Sequence, residues 1–247
     1  MLFNASPDLR EQIGAAPALW PREGLRDSPI QSVVLTNADV DHVAGLLSLR
    51  ERQPFRLIAL APVHASVRAS PIFEVLAPEV VERSPVAPGE RIEAAGLSIE
   101  LFPVPGKAPL YEEGPDLRIG AETGETTGVL VTHDGRKLAY VPGCAQLSPS
   151  VVDRIADADV LLFDGTLFTD DEMIAAGVGL KTGRRMGHIP ISGPDGSLAT
   201  LRQLKAARKI YIHINNTNPI LVEGSPERRL VEAAGFEVAH DGMEIGF

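Results

Sequence analysis

The sequence predicts an α/β fold with mixed sheets, because strand-like segments recur along the chain and helical patterns lie between only some of them. Each strand-like segment is short, apolar and rich in β-branched residues, and is bounded by Gly, Pro or Asp. From residue 97 to residue 141 these segments follow one another with little helix, whereas helix and strand alternate towards the C-terminus. The predicted strands are residues 32–36, 55–60, 97–104, 128–132, 138–141, 160–163, 210–214 and 236–239.

The helices are predicted from the segments between strands and from helix-start signals. Ser6 is a candidate N-cap for the first helix, and Ser225 followed by Pro226 is a favourable helix start. Residues 1–5 resemble the end of a strand whose beginning is absent, which predicts a shortened chain. No repeat or linker divides residues 1–247, so a single domain is predicted. The predicted helices are residues 7–15, 43–51, 61–70, 148–156, 170–176, 197–207 and 226–234.

Composition argues against several classes of protein. The 247 residues are 44% hydrophobic and 23% charged, which is ordinary for a globular protein. The formal net charge of −10 argues against binding to nucleic acid or anionic membranes, because both require a basic surface. Cys144 is the only cysteine, so no disulfide is expected. The sequence has no apolar run long enough for a membrane span and no secretory signal, so a soluble, cytoplasmic protein is predicted.

A candidate metal site follows the first predicted strand. Asp39, Asp41 and His42 fall within four residues at the point where the strand becomes a loop. Carboxylates beside an imidazole suit a divalent first-row metal ion, and loops at strand ends often carry functional residues. The alternative is a turn of the kind that Asn and Asp favour, with a solvated histidine.

Four further strand ends and loops carry reactive residues. Asp164 ends an apolar strand, and His188 lies in a loop bounded by Gly and Pro. His213 ends a strand before an asparagine-rich segment, and Cys144 follows another strand. Each has a plain alternative, namely a capping carboxylate, a surface histidine, a turn or a small buried hydrophobe. Loops at one edge of a sheet can nevertheless meet at a common pocket.

The order of these motifs resembles the metallo-β-lactamase fold and, within it, the PqqB family (coenzyme PQQ synthesis protein B). The resemblance implies a four-layer αβ/βα sandwich of mixed sheets, with metals at one edge. The usual signatures of the fold are His-x-His-x-Asp-His, Thr-Pro-Gly-His, Ser-Gly-Asp-Thr and a final ligand histidine. The corresponding metal-ligand slots hold Asn37, Asp39, Asp41, His42, Lys107, Cys144 and His213.

The likeness to the PqqB family covers almost the whole chain. Family members typically carry roughly fifty more residues at the N-terminus, including a Cys-x-Cys-x-x-Cys run associated with structural zinc. This chain has no such run, so structural zinc is not expected, and the loss of the opening strands would leave a sheet edge unpaired. The segments that carry the likeness are residues 3–8, 35–39, 163–168 and those around His188 and His213.

The substitutions imply a change of metal chemistry. Hydrolytic members of the fold hold one metal by three histidines and another by an aspartate and two histidines. Here the first set becomes Asn37, Asp39 and Lys107, and an amide and an ammonium group are poor ligands. The second set is kept as Asp41, His42 and His213.

A lone face of two histidines and one carboxylate, with open positions, is the arrangement of non-haem Fe(II) oxygenases. The resemblance therefore implies one active-site Fe(II), with zinc as the other metal that this set can load. Asp39 is predicted to be an additional ligand or an orienting group beside the metal.

Asp164 and His188 are predicted to move protons, because a carboxylate that holds an imidazole is a suitable acid–base pair. Phosphodiesterase members of the fold pair an acid after the corresponding strand with a Gly-His loop. The arginines before His188 are candidates to hold substrate carboxylates in a bidentate manner, whereas Lys181 is expected in a solvated loop. The predicted substrate-binding residues are Arg184, Arg185, Lys107, Asn215 and Asn216.

The function implied by the resemblance is iron-dependent hydroxylation in the maturation of pyrroloquinoline quinone (PQQ). Its substrate would be the small diacid left from a cross-linked Glu-Tyr pair. Two alternatives stay open: a soluble carrier that assists transport of PQQ or its precursor to the periplasm, and a metal-dependent hydrolase, which Lys107 and Cys144 disfavour. The predicted partners are the PQQ precursor, O2 and other proteins of the PQQ pathway, and a homodimer is left open.

Overall fold

The computed structural model describes residues 1–24 and 26–247. Within this part of the chain, four short strands form one sheet in which every pairing is parallel. The order of the strands in the sheet follows their order in the sequence. These strands are β1 (Leu2–Phe3), β2 (Ser32–Val34), β3 (Phe55–Leu60) and β4 (Val81–Val86).

A second sheet follows along the chain. Its strands are β5 (Arg91–Ala94), β6 (Leu97–Pro103), β7 (Thr127–His133), β8 (Arg136–Val141), β9 (Val160–Asp164), β10 (Arg208–Ile212) and β11 (Glu237–Val238). They lie in the order β11-β10-β9-β8-β7-β6-β5. The pairings from β5 to β8 are antiparallel, and those from β8 to β11 are parallel. The prediction of a mixed sheet is therefore confirmed.

The helices are short, and a side-chain cap marks the start of only some of them. Ser225 accepts a hydrogen bond from Arg228 N at 2.9 Å, as its position predicts. Ser6 is not the N-cap of the first helix, because that position falls on Asp8; Ser6 instead accepts a hydrogen bond from Asp8 N at 3.1 Å. None of the helices in the described ranges has the length and apolar character needed to cross a bilayer. The helices are α1 (Leu9–Ala15), α2 (Val40–Val43), α3 (Ala61–Ala69), α4 (Pro149–Ile155), α5 (Glu172–Ala175), α6 (Gly183–Met186), α7 (Ser197–Leu201) and α8 (Pro226–Ala233).

Alternate residues of the central strands face different cores, because successive side chains of a strand point to opposite faces. In β3, Leu57 and Ala59 belong to the core shared with α1 and α3, whereas Ile58 and Leu60 belong to the core between the two sheets. In β9, Leu161 packs into a third core with residues of α4, α7 and α8. Three cores separate four layers, so the αβ/βα sandwich implied by the resemblance is confirmed. The core that both sheets share supports the prediction of one domain.

Local differences from the predicted elements have physical causes. Strand β4 is not predicted by the sequence pattern because it carries charged residues and Pro85, which are tolerated since β4 lies at the edge of its sheet. The helix predicted for residues 197–207 ends at Leu201. Beyond it, Lys209 Nζ donates to the Arg202 carbonyl at 3.2 Å, which satisfies that group without a further helical turn.

The N-terminal segment packs against the loop that follows β2. Ala5 N donates to the His42 carbonyl at 2.7 Å, and Gly45 N donates to the Ala5 carbonyl at 2.9 Å. A Cβ atom on Gly45 would lie 2.2 Å from the Ser6 carbonyl oxygen. Because that contact is far below van der Waals distance, only glycine permits this close approach.

Gly45→Ala is expected to destabilise the protein by about 1–3 kcal/mol, because the backbone of residues 5–6 must move to admit the methyl group. Gly14→Ala in α1 is the matched control, since nothing in the described chain lies within 4 Å of that Cβ position. The control is expected to raise the free energy of unfolding by about 0.4–1 kcal/mol. Urea unfolding followed by circular dichroism measures both, and equal stability of the two variants would contradict the close approach at Gly45.

Candidate metal centre

Three side chains from two distant parts of the chain meet at one edge of the sheets. Asp41 and His42 lie in α2, shortly after β2, and His213 directly follows β10. His213 Nε2 lies 2.9 Å from Asp41 Oδ2, and His42 Nδ1 lies 3.2 Å from Asp41 Oδ1. One ligand atom from each of the three side chains lies within 4.8 Å of the other two. The structure thus brings together the carboxylate and the two imidazoles that the sequence predicts as metal ligands.

Asparagine side chains fix the loop that leads into α2. Asn37 Oδ1 accepts a hydrogen bond from Asp39 N at 2.9 Å, which forms an Asx turn. Asn4 Oδ1 accepts one from Thr36 N at 2.9 Å, which ties the loop to the N-terminal segment. The turn named as the alternative to a metal site is therefore present. The prediction of a solvated histidine beside that turn is wrong, however, because His42 is only 3% exposed.

The backbone at His213 is strained. This residue has φ of 54°, in the left-handed region that costs a non-glycine residue about 1–3 kcal/mol. The turn at the end of β10 leaves the His213 imidazole between two other imidazoles. Its ring centroid lies 5.0 Å from that of His42 and 5.3 Å from that of His188. Such strain is retained where surrounding contacts determine the conformation, and residues strained in this way are often found at functional sites.

The donor set fits a divalent metal ion. His42 Nδ1 is buried and forms no hydrogen bond with the residues that the structure describes. An unpaired buried polar atom of this kind costs about 1–3 kcal/mol. Two imidazoles and a carboxylate can bind either iron or zinc. Coordination by Asp41, His42 and His213 would therefore give a partner to this buried nitrogen of His42.

Electrostatics favour the ligand forms of two of these side chains. Burial opposes ionisation of Asp41, but the hydrogen bond with His213 and the contact with His42 outweigh it, so the pKa of this carboxyl is lowered. Burial lowers the pKa of His42 and keeps its imidazole neutral. Burial also acts to lower the pKa of His213, but its hydrogen bond to Asp41 and the charges of Asp164, Asp41 and Asp39 together outweigh burial and raise it. A metal ion that binds His213 therefore competes with a proton there.

The other predicted slots lie beside this group without joining it. Asp39 Oδ1 accepts a hydrogen bond from Leu110 N at 2.9 Å and lies 4.0 Å from Lys107 Nζ. Lys107 is 7% exposed, so its ammonium group is held close to the protein interior. Asp39 thus connects the loop between β2 and α2 to the segment that follows Lys107. The side chain of Asn37 is engaged in the Asx turn with Asp39 N.

A second group of titratable side chains shares His213 with the first. Asp164, at the end of β9, is fully buried, and its Oδ2 accepts hydrogen bonds from His188 Nδ1 at 2.8 Å and from Cys144 N at 3.0 Å. Burial opposes ionisation of Asp164, but the charge of and hydrogen bond from His188 outweigh it and lower the pKa of the carboxyl. The predicted pair of Asp164 and His188 is therefore in hydrogen-bond contact, with the carboxylate as acceptor.

Thr166 connects the two groups, although sequence patterns do not single it out. Its hydroxyl donates to Asp164 Oδ1 at 2.6 Å and lies 2.8 Å from His213 Nδ1. Because the hydroxyl proton is given to the carboxylate, the threonine oxygen is left to accept a proton from His213 Nδ1. That arrangement directs the other ring nitrogen, Nε2, towards Asp41 and fixes the tautomer that a metal ligand requires. The only sequence signal is the spacing of two residues between Asp164 and Thr166.

Thr166→Val is expected to lower affinity for the metal by about 10–100-fold, the usual effect of losing a group that orients a ligand. Valine keeps the shape of threonine but offers no oxygen to His213 Nδ1. Thr166→Ser is the control, because it keeps the hydroxyl and should keep affinity near that of the parent protein. Competitive titration with a chelating dye measures both constants. Equal loss of affinity in the serine and valine variants would contradict the proposed bridge.

Cys144 matches the plain alternative drawn from the sequence. It is fully buried, and its Sγ donates to the Gln146 carbonyl at 3.0 Å. Burial and the nearby charge of Asp164 raise the pKa of the thiol well above its usual range. A thiol of this kind is a small packed hydrophobe, because the nucleophilic and metal-binding form is the thiolate.

Two of the predicted substrate-binding residues, Lys107 and Arg185, meet at a carboxylate that the sequence patterns do not identify. Lys107 Nζ lies 3.2 Å from Glu113 Oε1, and Arg185 Nη2 lies 2.9 Å from Glu113 Oε2. Lys181 Nζ joins them at 2.9 Å from the same Oε2. Lys181, expected in a solvated loop, is therefore an ion-paired member of this cluster.

The other three predicted substrate-binding residues stand apart from this cluster. Arg184 is exposed, and its guanidinium group donates to a backbone carbonyl at 3.4 Å. Asn215 Nδ2 donates to Thr217 Oγ1 at 2.8 Å. Asn216 is exposed and lines a cleft beside His213. Direct contact of these three residues with a substrate stays a prediction.

Comparison with known proteins places the chain in a family. A profile of the beta-lactamase superfamily domain matches residues 1–214. Coenzyme PQQ synthesis protein B of Methylobacterium nodulans is 56% identical over 246 residues, which are 99% of this chain and 82% of that protein. The crystal structure of zinc-bound PqqB from Methylobacterium extorquens superposes with a TM-score of 0.97 at 54% identity, over 100% of this chain and 83% of that one.

A more distant structure shares the fold alone. CmlA, a diiron β-hydroxylase from Streptomyces venezuelae, superposes with a TM-score of 0.55 at 17% identity, over 85% of this chain and 44% of that one. The high identity to the PqqB proteins over nearly the whole chain is decisive, and the four-layer sandwich agrees with it. The chain belongs to the coenzyme PQQ synthesis protein B family, on the metallo-β-lactamase fold.

Proposed function

We propose that this protein acts in PQQ synthesis as a mononuclear iron-dependent hydroxylase of a small diacid derived from a cross-linked Glu-Tyr pair. The observation that carries the proposal is the convergence of Asp41, His42 and His213 within 4.8 Å, beside a lysine in a slot where hydrolytic members of the fold have a histidine. Other proteins of the PQQ pathway would supply the diacid and use the product.

The local charges favour one metal ion over two. Clamping a hydrolytic water between two metals requires ligands for both. The nearly buried ammonium group of Lys107, 4.0 Å from Asp39, would repel a second cation on that side of the loop. Ferrous iron bound by the two-histidine, one-carboxylate set would supply the reduction of O2 and the transfer of one oxygen atom to the substrate, with electrons from an external reductant.

The protein's own side chains supply orientation and proton transfer. Thr166 holds His213 in the orientation that faces Asp41. The buried carboxylate of Asp164 holds His188 Nδ1 and can stabilise a positive charge on that imidazole when it takes up a proton. The cations at positions 107, 181 and 185, which meet at Glu113, would hold the carboxylates of the diacid.

The proposal is tested by loading the protein with Fe(II) without oxygen, adding the diacid and a reductant, and then admitting 18O-labelled O2. Mass spectrometry is expected to show a product that has gained one labelled oxygen atom, and the zinc-loaded protein should form none. Tight binding of PQQ without turnover would favour a carrier instead. Zinc-dependent phosphodiester cleavage would favour a hydrolase.

A further inference from the structure

Glu113 occupies an unusual position for a glutamate of a surface segment. Its side chain is only 10% exposed, and its carboxylate contacts three cationic side chains. Hydrogen bonds from Arg185 and Lys181 and the contact with Lys107 lower its pKa, in that order of effect, to about 2. The carboxylate is therefore ionised and is held by more positive charge than it can balance.

This cluster lies next to both groups of the metal centre. Lys107 Nζ is 4.0 Å from Asp39, two residues before the predicted ligand Asp41. On its other side, the stem of Lys107 packs against Gly187, where a Cβ atom would lie 3.2 Å from Lys107 Cγ. Gly187 directly precedes His188. A carboxylate bound in this cluster would thus lie beside the loop that carries Asp39 and Asp41 and beside the pair of Asp164 and His188.

The segment that carries Glu113 has the features of a lid. Residues 108–120 leave the protein just after Lys107 and return at a narrow neck, where Gly106 pairs with Ala121 and Gly120 N donates to the Gly106 carbonyl at 2.8 Å. Most of its side chains are exposed, including Leu110 at 60%. A loop with adjacent ends and few buried side chains can move as a unit.

Polar contacts, rather than a core, hold this segment down. Leu110 N donates to Asp39 Oδ1 at 2.9 Å, and Tyr111 OH donates to the Ala38 carbonyl at 2.8 Å. The contacts of Glu113 with Lys181 and Arg185 join this segment to the loop that contains α6. These last contacts are therefore the ones that a competing carboxylate can replace.

Arg185 is left incompletely paired in this arrangement. Its Nη2 donates to Glu113 at 2.9 Å, whereas its Nη1 is buried and has no partner among residues 1–24 and 26–247. A guanidinium group binds a carboxylate best with two parallel N–H donors. Glu113 uses one side of that fork, so a freely oriented carboxylate could bind Arg185 better than the lid does.

We propose that Lys107, Lys181 and Arg185 form a carboxylate-binding site beside the proposed metal centre, that Glu113 fills it as an internal substitute, and that a polycarboxylate ligand displaces Glu113 and opens the lid of residues 108–120. The assignment of the ligand to a polycarboxylate rests on the proposed function. A ligand can bind only those molecules in which Glu113 has left the site, so the apparent affinity for the ligand is lower than the affinity of the vacated site. Removing the Glu113 carboxylate should therefore raise the apparent affinity.

The test is calorimetric titration of the zinc-loaded protein with PQQ, a planar quinone that carries three carboxylates. Glu113→Gln is expected to bind PQQ about tenfold more tightly than the parent protein, because the competing charge is gone. Glu112→Gln is the matched control: it removes one charge from the same turn, and the new amide can still accept the hydrogen bond from Ser66. The control is expected to bind PQQ like the parent.

A second substitution identifies the site itself. In the Glu113→Gln background no carboxylate of the lid competes, so Lys181→Gln is expected to weaken PQQ binding about tenfold through the loss of one charge-assisted contact. The proposal would be overturned if Glu113→Gln tightened PQQ binding no more than Glu112→Gln does. Unchanged PQQ binding after Lys181→Gln would overturn it as well.

Hydrogen exchange of the unaltered protein gives a measurement that does not depend on a variant's folding. Residues 108–120 should exchange faster when PQQ is bound, since the ligand replaces Glu113 at the cations. Unchanged or slower exchange there would contradict displacement. Neither the calorimetric titrations nor hydrogen exchange depends on turnover. Displacement of Glu113 can therefore be contradicted while hydroxylation is found, or be observed while hydroxylation is absent.

Discussion

Replacement of His213 by alanine is expected to abolish hydroxylation and to lower affinity for ferrous iron by more than about a hundredfold. The loss of an orienting group alone costs about 10–100-fold in metal affinity, and His213 is proposed as a direct ligand. It is also the member of the metal group that the second sheet contributes, and it belongs to both clusters of titratable side chains. Anaerobic titration with Fe(II), followed by product analysis after O2 is admitted, measures both effects.

His133→Ala is the control for this variant. His133 ends β7, and its side chain is 55% exposed, so its loss should leave iron affinity and turnover unchanged. Iron binding by His213→Ala with the affinity of the parent protein would show that the metal is held elsewhere. Thermal unfolding of the variant separates loss of a ligand from loss of the fold.

Asp164→Asn is expected to lower kcat by about 10²–10⁴-fold, the usual contribution of a positioned acid or base. Asparagine keeps only one acceptor oxygen, so its amide NH2 group must face either the donors His188 and Cys144 or the donor Thr166, and cannot accept from them. The imidazole of His188 also loses the negative charge beside it. Iron affinity should fall much less than in His213→Ala, because the three proposed ligands remain.

Single-turnover measurements of the iron-loaded variant test this expectation. Asp157→Asn is a suitable control, because Asp157 is an exposed carboxylate whose contact is a surface ion pair with Lys137 at 2.6 Å. Surface pairs of this kind contribute about 0–1 kcal/mol. An Asp164→Asn protein that binds iron and hydroxylates at the parental rate would remove Asp164 and His188 from the chemistry.

Much of the fold could be predicted from the sequence, because its strands are marked by apolar residues between turn-forming ones. Strand β3 was expected at residues 55–60 and lies at Phe55–Leu60. Edge strand β4 could not be predicted in the same way, since an edge tolerates the charges and proline that conceal it.

The candidate site was predictable only in part. Asp41 and His42 are adjacent in sequence and follow a clear strand, so their pairing needs no knowledge of the fold. Their meeting with His213 depends on two sheets that place the ends of β2 and β10 together, and the resemblance supplied that topology.

Thr166 and Glu113 could not be predicted from sequence because their roles come from tertiary contacts. A threonine two residues after an aspartate is unremarkable until His213 is placed beside its hydroxyl. A glutamate in a polar loop is ordinarily solvated. The buried position of Glu113 becomes evident only when Lys107, Lys181 and Arg185 surround it.

One metal ion is proposed to bind between Asp41, His42 and His213, while the neighbouring position beside Lys107 binds none. Anomalous diffraction from crystals of the iron-loaded protein, collected on both sides of the iron absorption edge, locates the metal. A single iron peak per chain is expected, in contact with these three side chains. A second peak between Asp39 and Lys107, or a single peak away from His213, would contradict it.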